Sequence, residues 1–500
     1  MFQQKRLKVL MIGLDGVTWD VIRPLIKSAS LPTFKFLMEN GVYGILESVI
    51  PPVTGPSWVS LVTGRNPGKT GIFDFLNRKT STSYTLTPVS SSYFKGKAVW
   101  DYLSRFGFKV GVVAFPLLNP PYKVDGFMVS GMFGSKRVIT YPKELIKEII
   151  GIMPDGKYEV IVDYHNPKYD DVELFLKDLG SFLNKQFNMV LYLLREKYWD
   201  FFFYVCSATD WFQHLMWKYF DRNYPLYDQK KFQKYSDVVI NFFKRIDEFI
   251  ETALKLAGEN TIIVIVSDHG FGPQWGVFNL SRWLELKGYM KVKVKKAKKY
   301  YLKLLLNKLH LVPLISSFLK YFLRKIGKRG GPYNLLVRSI EYDKSLAYTL
   351  GHTIPFGAIY LDAQQKNNSA LREKIIGELK NLGNEINEEL NIRIYKPEEI
   401  YWGPLTSLAP DIIFTINNWS CVIEEDPNKD FIYINEPFSN RHTGSHRLDG
   451  IFLMYGPHIR KGVNIGKVKI YDITPTILQL FKLPIPKDLD GKILMEIYNS

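Results

Sequence analysis

Short, unbroken apolar runs alternate with helix-periodic stretches along most of the chain. "KVLMIGLDG" (8–16), "KVGVVAF" (109–115), "DFFFYVCSAT" (200–209) and "TIIVIVSDHG" (261–270) lack the apolar–polar alternation of a half-exposed strand. Each is therefore expected to be a strand buried on both faces. Between them, "LPTFKFLMENG" and "KAVWDYLSRFG" (97–107) read as helices stopped by Gly41 and Gly107. Longer helices are expected over roughly 170–197 and 228–257, and another from Asp210. Late strands are expected at 411–416 and 450–457, and a closing helix at 471–481. Buried strands alternating with helices predict an α/β fold: a mostly parallel central sheet with helices on both faces. No internal repeat interrupts this order.

One segment departs from the pattern. Residues 287–329 hold 14 Lys and Arg and no Asp or Glu. Within it, Leu302, Leu305, Leu306 and Leu309 recur at helical spacing, and Ile315, Phe318, Leu319, Phe322 and Ile326 do so again after Pro313. The pattern predicts two short basic amphipathic helices. They would form either a lid packed on the core or an element lying on an anionic membrane surface or against a polyanionic substrate. The domain division expected is a core of 1–286 and 340–500, with 287–339 as a basic helical insertion.

Composition changes this picture in few places. Of the formal charge of +17, most belongs to the basic segment, so the rest of the molecule is near neutral and no specific nucleic-acid recognition is expected. Two cysteines, Cys206 and Cys421, support neither a disulfide framework nor a thiolate metal site, and a reducing compartment follows. The opening "MFQQKRLKVLMIGLDG" has a positive start and an apolar run. Asp15 breaks that run and no small-residue cleavage site follows, so it reads as the first strand rather than a leader. No run of roughly 18 apolar residues occurs, so no membrane-spanning helix is expected. Cytoplasmic placement, with peripheral membrane contact through 287–329, is the expectation.

"PPVTGPSWVSLVTGRNPGKTG" (51–71) ends like a phosphate-cradling P-loop. That motif needs four residues between its first Gly and the Gly-Lys-Ser/Thr triplet. Here Gly64 and Gly68 are separated by only three, and Thr63 stands where the first Gly belongs. The chemistry is better sought at Thr54. A Thr followed two residues later by Pro predicts a helix start with Thr54 as N-cap. A hydroxyl there faces backbone N–H groups that attract a phosphoryl group.

The strand ends supply the partners. Asp15 follows the first strand, Asp210 and His214 follow "FFFYVCSAT", Asp268-His269 follow "TIIVIVS", and a late loop "NRHTGSHRLDG" adds His442 and His446. Carboxyl ends of parallel strands share one sheet edge, where open α/β sheets bind ligands. Asp210 and His214, four apart at a helix start, fall on one face. Oxygen and imidazole ligands without thiolates suit zinc or manganese.

Together these residues resemble the alkaline phosphatase superfamily, and within it the type I phosphodiesterase/nucleotide pyrophosphatase branch. The resemblance rests on Asp15, on Thr54 with Pro56 and Thr63-Gly64, on Asp210-x-x-x-His214, on Asp268-His269-Gly270 and on Gly444-Ser445-His446. It spans nearly the whole chain. It implies an alkaline-phosphatase-like three-layer α/β sandwich and two divalent metal ions, usually zinc. Asp210, His214 and His446 would hold one ion. Asp15, Asp268, His269 and the Thr54 oxygen would hold the other. Thr54 would attack phosphorus and form a covalent phospho-threonine.

Ser57 stands where nucleotide pyrophosphatases of this branch usually carry Asn, and Trp58 where many carry His. Both are candidate substrate contacts, as is His442, and Trp58 is equally a candidate core residue. The implied substrate is a phosphate ester: a nucleotide, a sugar phosphate or a lipid headgroup. A sulfatase would need Cys or Ser at position 54. A phosphomonoesterase or phosphoglycerate-mutase-like enzyme is the nearer alternative, and a non-catalytic membrane-surface protein the more distant one.

Overall fold

The structure is a computed structural model; it describes residues 7–133, 137–293, 340–351, 355–427, 429–439 and 441–498. The basic amphipathic helices expected across 302–326 lie outside the described residues.

The buried apolar runs become the middle of one large sheet. In chain order its strands are β1 (Lys8–Leu14), β2 (Val42–Glu47), β3 (Val110–Phe115), β4 (Gly126–Ser130), β5 (Thr140–Tyr141), β6 (Phe201–Cys206) and β7 (Thr261–Val266). Two short strands, β8 (Gly270–Pro273) and β9 (Gly444–Arg447), pair outside the sheet. The last two of the large sheet are β10 (Asp449–Tyr455) and β11 (Val463–Lys469). The nine-stranded order is β11-β2-β10-β7-β1-β6-β3-β4-β5. β1 lies between β6 and β7, parallel to both, with Gly13 opposite Val205 on one side and Val266 on the other. β10 runs antiparallel between β2 and β7. That makes the sheet mostly parallel rather than wholly so.

Side chains alternate between two apolar layers, as a sheet covered on both faces requires. Leu10, Ile12, Phe202, Tyr204 and Ile265 face a layer closed by the long helices Val172–Glu196 and Gln229–Ala257. Each of these helices starts at an aspartate, Asp171 and Asp228, whose carboxylate accepts two first-turn N–H groups. Val9, Met11, Phe203, Val205 and Val264 face the other layer, with α1 (Thr54–Thr63) and the closing helix Ile473–Leu480.

The strand expected at 411–416 forms, as Ile412–Ile416, but in a separate place. It belongs to a four-stranded sheet with Ala347–Tyr348, Gly357–Leu361 and Ile392–Tyr395, around a third apolar cluster. Its neighbours there run antiparallel to it. A fully buried run carries no information about which sheet it joins. Tyr289 and Met290 are buried in this smaller lobe, and Val292 bridges Ile340. The smaller lobe therefore takes in residues 289–292, the first part of the stretch assigned to the basic insertion.

Candidate active site

Three neighbouring parallel strands end at one place. Asp15 follows β1 directly, Asp268 lies two residues past β7, and Asp210 sits in α2 (Ala208–Met216), the helix entered from β6. Because β6, β1 and β7 are adjacent, their carboxyl ends bring the three carboxylates together at one sheet edge. All three are buried, Asp15 and Asp268 completely.

The histidines arrive by separate routes. His214 follows Asp210 by one helical turn. His269 follows Asp268. His446 is delivered by β9, which pairs antiparallel with the sequence-distant β8 and sets it opposite Phe271. Each has its Nδ1 against a backbone carbonyl: His214 on Gly444 (2.9 Å), His446 on Pro52 (2.9 Å) and His269 on Gly270 (3.1 Å). A carbonyl can only accept, so each Nδ1 carries the hydrogen and each Nε2 presents a lone pair, the arrangement of metal-ligating histidines.

Those lone pairs converge in two groups. Nε2 of His214 and Nε2 of His446 are 3.1 Å apart, with Asp210 Oδ1 at 3.4 and 3.2 Å from them. Around His269 Nε2 stand Asp268 Oδ2 (3.3 Å), Asp15 Oδ1 (3.6 Å) and Thr54 Oγ1 (3.4 Å). Potential ligand atoms of Asp15, Asp210 and His269 also lie within 4.8 Å of one another, so Asp210 stands between the two groups. Facing lone pairs and clustered carboxylates repel unless a cation lies among them. The orphaned atoms point the same way: Asp15 Oδ1, Asp210 Oδ1 and Asp268 Oδ2 are buried and, among the described residues, receive no hydrogen bond. The donor set and its unsatisfied oxygens fit two divalent cations.

The electrostatics of the protein without ions agree. Burial, reinforced by repulsion from Asp268 and Asp210, holds the Asp15 carboxyl well above its usual range. Burial likewise raises Asp268, with the charge of Asp210 adding to it. Burial also acts on Asp210, but the imidazoles of His214 and His446 outweigh it and hold that carboxyl low. Burial drives His269 down, and His446 adds to this.

Thr54 differs from expectation in one detail. Val53, extended at φ −118° and ψ 138°, is the capping residue of α1, and it makes no side-chain cap. Its carbonyl takes the Ser57 N–H at 3.0 Å. Thr54 is the first helical residue, so its hydroxyl is not spent on capping and points to His269. One turn on, Trp58 is a core residue and not a stacking platform. It is fully buried among Phe115 and Phe203, with Nε1 3.5 Å from Asp15 Oδ2. Ser57 pairs its hydroxyl with Ser48 at 2.8 Å.

The P-loop-like stretch is tied down elsewhere. Lys69 Nζ pairs with Asp490 at 2.6 Å and with the Asp488 carbonyl at 2.9 Å, and Asn66 caps the short helix Pro67–Thr70.

His442 does reach the site, in company the sequence did not suggest. Its ring lies 6.1 Å from that of His214 and 5.0 Å from that of His165, with which it stacks. Tyr164 stacks on His214 at 5.4 Å. Tyr164 and His165 come from a loop with no motif beyond an aromatic–histidine pair, and only the tertiary fold places them here. Burial, with His214 and His165 adding, pushes His442 down to about 2.

The family model for "Type I phosphodiesterase / nucleotide pyrophosphatase" matches residues 9–447. No curated protein matches the chain by sequence. Among solved structures, human ectonucleotide pyrophosphatase/phosphodiesterase 5 is similar at a TM-score of 0.56 and 15% identity, over 99% of this chain and 100% of that one. Its murine counterpart, in an inactive form in complex with AMP, gives 0.55 and 14%, over 99% and 100%. Phosphonoacetate hydrolase from Sinorhizobium meliloti 1021, in complex with phosphonoacetate, gives 0.54 and 15%, over 94% of both chains. At these identities the structural likeness speaks for the fold alone.

Proposed function

The chain belongs to the type I phosphodiesterase/nucleotide pyrophosphatase family of phosphoester hydrolases, and from that premise we propose that it cleaves phosphodiester or nucleotide pyrophosphate bonds with Thr54 as nucleophile at a two-metal centre. One observation carries the reading: a hydroxyl not used in helix capping, 3.4 Å from His269 Nε2, stands beside buried carboxylate oxygens that nothing among the described residues satisfies.

Asp210, His214 and His446 would hold one cation, and Asp15, Asp268 and His269, with Thr54 beside them, the other. The donor set suits zinc, with manganese as an alternative. Such ions supply Lewis acidity to the phosphoryl oxygens and lower the pKa of a hydroxyl or water. The protein's own part is positional. The first turn of α1 presents Thr54 Oγ with free backbone N–H groups behind it. Oγ bonds to phosphorus as the bond to the leaving alcohol breaks, and its proton passes to solvent while the alkoxide is protonated. Water then cleaves the phospho-threonine and restores Thr54. The buried Nδ1–carbonyl bonds keep all three imidazoles in one tautomer throughout.

The test is hydrolysis of bis-p-nitrophenyl phosphate against p-nitrophenyl phosphate, with metal stripped and restored, for wild type and Thr54→Ala. Metal-dependent diesterase activity that drops by about 10³-fold or more in Thr54→Ala supports the reading. Preference for the monoester moves the protein to phosphatase or mutase chemistry. Inactivity toward both esters with metal bound overturns it.

A further inference from the structure

Beside the Asp210–His214–His446 group lies a set of side chains that the reaction above does not use. The His165 and His442 rings stack at 5.0 Å with an interplanar angle of 18°. Tyr164 lies 4.1 Å from His165 and 5.6 Å from His442, ring to ring, and stacks on His214. His442 is only 8% exposed, yet among the described residues its ring takes part in no hydrogen bond. Among the described residues, the His165 ring makes none either.

The loop is held in place deliberately. Arg441 donates to the carbonyls of His165 and Asn166, both at 2.9 Å, and to Asp170 at 3.0 Å. The His442 N–H donates to Ser439 Oγ at 2.9 Å. Arg441 is therefore occupied in fixing the loop and is not offered to a ligand. What remains is two imidazoles and an aromatic wall one ring away from His214.

We propose that His165, His442 and Tyr164 form the subsite for the alcohol portion of the ester, and that this alcohol is hydroxyl-rich, a sugar or polyol. The proposal rests on the phosphoester-hydrolase reading above and gives it a substrate class. A neutral imidazole offers one N–H donor and one lone-pair acceptor. A hydroxyl is also donor and acceptor, so two imidazoles side by side match a pair of hydroxyls. A second phosphate would call instead for free cationic forks, and the Arg441 fork beside these rings is spent on Asp170 and two carbonyls. The stacked rings provide the flat apolar face against which the C–H side of a sugar or polyol packs.

The experiment uses the full-length, metal-loaded protein with glycerophosphoglycerol and bis-p-nitrophenyl phosphate. The latter is a diester without hydroxyls. The quantity read is the ratio of kcat/KM on the first to that on the second. His165→Phe and His442→Phe keep the stacking and remove the hydrogen bonds; each should lower the ratio by about tenfold or more. His165→Gln keeps a donor and an acceptor and should hold the ratio within about threefold of wild type. As a readout independent of turnover, the affinity of glycerol 3-phosphate for Thr54→Ala should weaken about tenfold when His165→Phe is added, while that of inorganic phosphate shifts much less. Should His442→Phe not fold, His165→Phe, on an exposed side chain, still decides.

A ratio unchanged in both Phe variants overturns the proposal. So does parallel loss on both esters, which would make the two histidines supports of the His214 loop. Wild-type hydrolysis of the aryl diester without any of the polyol ester also overturns it, while leaving the phosphodiesterase reading standing. Inactivity toward both esters overturns both.

Discussion

The indole Nε1 of Trp58 stands 3.5 Å from Oδ2 of Asp15, so one oxygen of this carboxylate is engaged by the core while the other, Oδ1, receives no hydrogen bond. Trp58 lies one turn after Thr54 on α1. The same helix thus carries the proposed nucleophile and orients, from behind, a carboxylate of the proposed metal centre. Trp58→Phe should cost about 1–2 kcal/mol, mostly the indole's hydrogen bond and volume. It should also weaken metal binding about 10- to 100-fold, as loss of an outer partner does. Thermal unfolding and metal titration followed by atomic emission check the two effects separately. Unchanged metal affinity would show that the indole is packing only.

Asp268→Asn should stabilise the metal-free protein, against the usual direction of a core substitution. Burial and its neighbours hold Asp268 well above the normal carboxylate range, and in that crowded group each negative charge is unfavourable. At neutral pH the folded, metal-free protein must hold this carboxyl protonated while the unfolded chain leaves it ionised, so a neutral amide should gain about 1–2 kcal/mol in chelator. Adding zinc should then raise the melting temperature of the wild type by more than that of the variant, which keeps only the Asp210–His214–His446 group intact. Calorimetry with and without metal reads both. A variant less stable than wild type in chelator would refute the account of the site.

Gly13→Ala probes the path from the sheet to Thr54, the proposed nucleophile. A Cβ at Gly13 would lie 2.5 Å from Trp58 Cη2 and 3.1 Å from both Trp58 Cζ3 and Val205 Cγ2. The indole is locked among Phe115 and Phe203, so relief must come from movement of α1. The expected cost is about 1–3 kcal/mol from overpacking. Activity should fall more than stability predicts, because Thr54 moves with the helix. Urea unfolding alongside kcat/KM separates these.

Asp101 gives the pH prediction. Burial raises its carboxyl to about 6, even though the N–H groups of Ala98 and Gly96 and the Tyr122 hydroxyl favour the ionised form. The unfolded value is near 3.8. A raised acid pKa contributes stability that is complete below the unfolded value and is lost as pH rises through the folded one. Wild type should therefore lose up to about 3 kcal/mol from this group between pH 4 and pH 6.5. Asp101→Asn retains an acceptor oxygen and should lack this step. The difference between the two proteins' unfolding free energies across that range is the measurement. A difference that does not change with pH would show that Asp101 ionises normally.

The sequence by itself determined the central strands, the long helices and the candidate ligand set. A buried strand announces itself by an unbroken apolar run. An acid or an acid–histidine pair at its end marks the sheet edge, because it is the first charged group past the apolar run. That logic reached Asp15, Asp210, His214, Asp268 and His269 directly; Thr54 came from its helix-start context and His446 from a histidine-bearing late loop, and the family resemblance gave them their roles. Only the tertiary structure decided the rest. It sent the 412–416 strand to a second sheet, since burial on both faces does not say beside which neighbour. It put Trp58 in the core and Val53 at the cap, since both depend on how α1 enters the sheet edge. It set Asp210 between the two ligand groups. It brought Tyr164 and His165 to His214 and His442 across about 50 and 280 residues of chain, held by an arginine whose partners are mostly backbone carbonyls. Local patterns record what a residue needs from its own strand or helix. Contacts made by loops across the chain leave no period to read.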